Sequence, residues 1–186
     1  MGSNPTLSAD SKGDSRPAGY TATVAKRLSI LLLVLALSVV AAPVAQADDN
    51  SVYQAWIAHD AEFDKHGAAV RKNERSDRSA RSKAKRLIEI VEAARKTLAE
   101  NTAGVDAQQP SSERGGDGKT LALKSNARLD LSFLSTRKAM RLFLDGASRR
   151  KVVRYLDRAD SYIDEAVRYE KKARTAFRDA GVTLKD

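Results

Sequence analysis

The stretch Ser148–Ala180, SRRKVVRYLDRADSYIDEAVRYEKKARTAFRDA, decides the fold. Val152, Ala159, Ala166, Ala173 and Ala180 recur every seven residues, as do Leu156, Ile163, Glu170 and Phe177, so two interleaved rows form one apolar seam. Gly181 follows as a helix stop. Tyr155, Tyr162 and Tyr169 flank the seam, at the core boundary or under a partner laid across them. Upstream, Leu121–Asp145 reads as a second helix stopped by Gly146, with a short strand at Leu129–Phe133 as the alternative.

Farther upstream, Trp56, Phe63, Val70, Asp77, Ala84, Val91 and Leu98 share one heptad position, and His59, His66, Asn73, Ala80, Leu87 and Ala94 the other. The period is helical, but RKNERSDRSARSK (Arg71–Lys83) offers only Ala80 as an apolar residue. That composition predicts either one long helix with an exposed centre or a break between Gly67 and Asp77. Ser51 and Gln54 have capping-box spacing and predict a helix start. Trp56, with Tyr53, Ile57 and Phe63, is expected as a core anchor, the alternative being a carbohydrate platform. Gly104–Lys119, GVDAQQPSSERGGDGK, carries four glycines and Pro110 and predicts a flexible linker.

The segment Leu28–Ala42 (LSILLLVLALSVVAA) lies between Lys26-Arg27 and Pro43 with Ala45-Gln46-Ala47. A basic patch, a short apolar run and an A-x-A site define a secretory signal peptide, with cleavage expected after Ala47. A single-pass anchor through residues 28–45 is the alternative, disfavoured because the run is shorter than the roughly 20 residues of a spanning helix. Residues 1–23 read as a disordered polar leader, untranslated if Val24 is the true start. The expected organisation is therefore a leader at 1–23, a signal peptide at 24–47, a first helical region at 48–103 with a weak centre near 67–83, a linker at 104–119 and a helical hairpin at 120–186. The expected fold is all-α, an elongated antiparallel bundle of three or four helices.

Residues 48–186 carry 29 basic and 22 acidic side chains, a net +7. Leu, Ile, Val and Phe make up about 19% of them, near the roughly 20% at which charged chains tend toward disorder, so the core must be thin. Twenty-one alanines offset this by favouring helix and close helix approach. The chain has no cysteine, which excludes disulfides and thiolate chemistry.

Charge is segregated along the chain. Residues 65–96 hold 11 basic and 4 acidic side chains, residues 137–178 hold 13 and 6, and residues 48–64 hold five acidic and no basic ones. Arg149, Arg150, Lys151, Arg154 and Arg158 have only Asp157 and Asp160 nearby, and Arg81, Lys83, Lys85 and Arg86 form the other dense group. These nine are the candidate binding residues, unless i to i+4 pairs such as Asp164–Arg168 and Glu170–Arg174 absorb the charge. Export disfavours nucleic acid as the partner. An anionic envelope component or protein is expected instead, with membrane contact only peripheral or through the leader.

His59, Glu62 and His66 lie three and four residues apart and form the one candidate metal set. No nucleophile elbow or phosphate loop is present, so a non-enzymatic protein without a cofactor is expected. An adaptor that oligomerises or holds polypeptides through exposed seam residues is the alternative function.

Overall fold

The computed structural model describes residues 47–185, which form five helices: α1 (Ala47–Ile57), α2 (Asp60–Arg75), α3 (Ala80–Ala107), α4 (Glu113–Leu144) and α5 (Arg149–Asp179). No strand occurs among the described residues, and Leu129–Phe133 is helical. The 32 residues of α4 span about 48 Å, so the bundle is elongated. The leader, the Val24 start, the signal peptide and the anchor alternative lie outside the described residues. Among those residues no helix is long and apolar enough to cross a membrane.

Consecutive long helices run antiparallel. His66 meets Thr97 and Asn73 meets Lys83 between α2 and α3, Arg95 meets Asp130 between α3 and α4, and Arg128 meets Glu165 between α4 and α5. Both rows of the α5 seam are buried from Val152 to Phe177. The facing side of α4 is built from small residues, including Ala122, Ser125, Ser132 and Ala139. Alanines and serines bring the two backbones close enough for Ser125 Oγ to donate to the Ala166 carbonyl at 3.0 Å. Tyr155, Tyr162 and Tyr169 are half-buried at the edge of this contact.

Helix ends have local causes. At the C-terminus of α4, Gly146 takes φ +75° while Ala147 N–H donates to the Leu142 carbonyl and Gly146 N–H to that of Phe143. Gly181, at φ +83°, repeats the arrangement after α5, with Val182 N–H on the Phe177 carbonyl. Both are Schellman endings, which require the left-handed residue to be glycine. Ser79 and Ser112 cap α3 and α4 by accepting from the Ser82 and Gly115 N–H groups at 3.3 and 2.9 Å.

The region before Asn101 differs from its expected form. A break does occur at Ser76–Ser79, at the C-terminal edge of the expected window, and a second, unexpected one falls at Ala58–His59. Ser51 lies inside α1 rather than at a helix start. Row members within the helices, Trp56, Phe63, Val70, Ala84, Val91 and Leu98, are all buried, while Asp77 and Ala80 at the second break are exposed. Trp56 and Tyr53 pack with Phe177, which makes them core and leaves no exposed carbohydrate platform.

The glycine-rich segment 104–119 is helical except at 108–112. Two of its glycines serve close approach. A Cβ at Gly115 would overlap the Asp49 carboxylate, and one at Gly118 would come within 2.7 Å of the Phe177 ring. Asp49 Oδ1 accepts from the Ser111 and Ser112 N–H groups at 2.8 and 3.2 Å, so α1 secures the entry to α4. Burial pushes this carboxyl up, but the hydrogen bonds from Ser112 and Ser111 outweigh it and hold the pKa below the usual value.

Candidate functional site

The antiparallel order brings two sequence-distant basic segments to one end of the bundle. The C-terminus of α2, the N-terminus of α3, the C-terminus of α4 and the N-terminus of α5 all lie there, and Arg81 ties them by donating to the Leu144 carbonyl at 2.9 Å. Residues 71–86 and 138–158 together carry 15 basic and 4 acidic side chains. The segments at the opposite end, 49–64, 100–119 and 170–185, carry 7 basic and 10 acidic ones. The molecule is electrically bipolar along its axis.

The nine basic residues named from the sequence all fall at or near this end, in different roles. Arg81 and Lys83 fasten loops, the latter by donating to the Glu74 carbonyl at 2.7 Å. Arg86 pairs with Glu89 at 2.6 Å, and the Arg158 guanidinium lies 5.5 Å from the centre of the Tyr155 ring. Among the described residues Lys85, Arg150, Lys151 and Arg154 make no ion pair or side-chain hydrogen bond. Arg149, Arg150 and Arg154, with Val153 and Asp157, line an open depression on α5.

Sequence reasoning missed Lys72 and Arg78, which the fold places opposite Lys85 across the α2–α3 turn. Both lie in the charged stretch quoted above, but nothing local distinguishes them from a solvated face. Acidic residues are meanwhile drawn off toward helix–helix pairing. Asp130 takes Arg95 through two hydrogen bonds of 2.6 and 3.2 Å, Glu165 takes Arg128 at 2.8 Å, and Glu92 meets Arg137 and Arg141 at 3.6 and 3.3 Å. The Asp130 hydrogen bond pushes the Arg95 pKa up. Of the pairs expected within α5, Glu170–Arg174 forms at 3.1 Å, whereas Arg168 donates to the Asp164 backbone carbonyl.

The metal set does not assemble. His59 stands at the α1–α2 break, while the His66 ring bonds Thr97 Oγ1 at 3.0 Å across the α2–α3 contact. Burial lowers the His66 pKa, with Glu62 opposing. Among the described residues no group of three His, Asp or Glu side chains is placed to hold a metal ion.

A second titratable cluster lies at the opposite end. Glu170, a seam residue only 6% exposed, and Asp60 face each other near Arg174, whose guanidinium lies 5.9 Å from the Trp56 ring centre. Burial raises the Asp60 pKa to about 7, with Arg174 and Lys185 opposing and Glu170 and Asp64 reinforcing. Burial also raises Glu170, against the pull of Arg174 and Lys171.

Between the ordinary value of 3.8 and about 7, folded Asp60 keeps a proton that the unfolded chain has lost, so its contribution to stability falls as pH rises through that window. Allowing for partial solvent contact, the loss is about 2 kcal/mol. Asp60→Asn should flatten this slope, so urea midpoints at pH 5 and pH 8 should differ less for the variant than for the wild type. Equal slopes would show that Asp60 ionises freely in the fold. Comparison of the chain with protein-family models, with curated proteins and with solved structures found no match.

Proposed function

We propose that this is an exported, non-enzymatic helical protein that docks the basic end of its bundle on an anionic component of the cell envelope. The observation that carries the reading is the convergence of 15 basic against 4 acidic side chains at one end. Several of these cations have no internal partner among the described residues. Repulsion among them costs stability that an external anion would offset.

Export rests on the basic patch, apolar run and A-x-A site at residues 26–47. Cleavage after Ala47 retains Asp49 and with it the hydrogen bonds to Ser111 and Ser112. The adaptor alternative has less support, because Leu156 and Ile163 are buried within the chain itself.

Co-sedimentation of the mature protein with vesicles of phosphatidylglycerol, against phosphatidylcholine, tests the docking. Each basic residue near an anionic surface contributes about 1 kcal/mol, so the triple variant Lys85→Ala/Arg150→Ala/Arg154→Ala should bind roughly 100-fold more weakly. Wild-type binding should also weaken steeply as salt rises. Binding that survives high salt, or a triple variant that binds as well as the wild type, rules the reading out.

A further inference from the structure

A concave pocket at the basic end lies between the last turns of α2, the Ser76–Ser79 turn and the first turns of α3. Its volume is about 540 Å3, and Lys72, Arg78, Lys85 and Arg86 contribute four cations to its lining, with Ser76 and Ser82. Glu89 is the one acidic lining residue, and its carboxylate is taken by Arg86 at 2.6 Å. Lys72, Arg78 and Lys85 make no ion pair or side-chain hydrogen bond among the described residues. The floor is held by Asn73, 7% exposed, whose Nδ2 donates to the Lys83 carbonyl at 3.0 Å. The pocket walls are therefore braced while three of its four cations are not.

Two further observations narrow the ligand. The first turn of α3 contains no acidic residue, unlike those of α2 and α4, so nothing there repels an anion. A second hollow, of about 470 Å3, shares Lys72 and Ser76 with the first and adds Arg71 and Arg75. Cations converging from two helices and a turn match a tetrahedral group that accepts hydrogen bonds in several directions better than a planar carboxylate. Two adjoining hollows match more than one such group.

We infer that the α2–α3 pocket is a binding site for a ligand carrying linked phosphoryl groups, with Lys72, Arg78 and Lys85 as its principal contacts. This deepens the docking reading above and rests on it. Phosphoryl groups of this kind occur in soluble polyphosphates and phosphate esters and in lipid headgroups, and the chemistry of recognition is shared.

The test is titration of the mature protein with inorganic tripolyphosphate, with orthophosphate and citrate as comparisons, read by calorimetry and by amide chemical shifts. Tripolyphosphate should bind saturably, at least tenfold more tightly than either comparison anion, with shifts concentrated in residues 69–89. Lys72→Ala/Lys85→Ala, two exposed positions whose loss leaves the fold and melting curve unchanged, should weaken binding at least tenfold. Lys124→Ala/Lys172→Ala, exposed cations away from the basic end, should change it less than twofold.

Equal binding of citrate, equal loss in both variants, or shifts centred on residues 149–157 would overturn the pocket. So would absence of saturable tripolyphosphate binding by a protein that still sediments with phosphatidylglycerol vesicles, and that result would leave the docking reading standing. Failure of both assays would remove both. With the pocket upheld, displacement of tripolyphosphate by vesicles of cardiolipin, whose headgroup links two phosphates, beyond that caused by phosphatidylglycerol vesicles of equal charge identifies a headgroup as the source, and its retention identifies a soluble one.

Discussion

Phe177→Ala is expected to lower the unfolding free energy by about 3–5 kcal/mol. The ring is fully buried, 5.6 Å from the Tyr53 ring centre and 5.9 Å from that of Trp56. It also fills the space opposite Gly118, where α4 carries no side chain. One ring thus joins α1, α4 and α5, and its carbonyl accepts the Val182 N–H of the Schellman ending. The cavity left by alanine cannot be filled from α4, so little of the loss is recovered by collapse. Thermal denaturation followed by circular dichroism should show Tm lower by roughly 10–20 °C. A shift within about 2 °C would mean that the N-terminal helix is not anchored through this ring.

Asn101→Leu is expected to cost about 2–4 kcal/mol through unpaired polar groups, despite the added apolar surface. Asn101 is 1% exposed, and its Nδ2 donates to the carbonyls of Trp56 at 2.6 Å and Ala55 at 3.2 Å. Those are carbonyls of the last turn of α1, freed from the i+4 ladder by the break at Ala58–His59, and of the two only Ala55 has another backbone donor, the Ala58 N–H at 3.4 Å. Asn101 Oδ1 in turn accepts from Asn126 Nδ2 at 2.8 Å, linking α4 to the same junction. Leucine would strand the Trp56 carbonyl, leave the Ala55 carbonyl with only the long bond from Ala58 N–H at 3.4 Å, and leave Asn126 Nδ2 with only Thr102 Oγ1 at 3.1 Å. The double variant Asn101→Leu/Asn126→Leu should recover part of the loss, because one donor no longer lacks its acceptor. Urea midpoints and amide exchange in α1 measure both effects. Identical stability of the single and double variants would show that the side-chain network carries no coupling.

These two residues show where the sequence was readable and where it was not. Phe177 stands in a heptad row with Leu156, Ile163 and Glu170, and every member of that row is buried as the periodicity requires. Asn101 lies two residues before the expected end of the first helical region at 103, yet α3 continues to Ala107. Its amide is satisfied by partners 45 and 25 positions away, and no local pattern encodes that. The glycines of 113–119 misled for the same reason. Glycine raises the cost of helix locally, but at Gly115 and Gly118 it also admits Asp49 and Phe177, whose packing outweighs that cost.

Charge divides in a similar way. Helical structure over the described residues, apolar seams rather than a broad core, and basic and acidic residues segregated in blocks were all legible in the amino-acid order. These properties follow from composition and from the 3.6-residue period, which need no knowledge of what lies across the bundle. Tertiary structure alone decided that two basic blocks more than 50 positions apart meet at one end, with Arg81 on Leu144 closing the contact. It likewise decided that Lys72 and Arg78 face Lys85 around one pocket. Antiparallel packing sets residue 81 beside residue 144 and residue 66 beside residue 97, and such register is fixed by side-chain fit between helices, a property of pairs that no single segment carries.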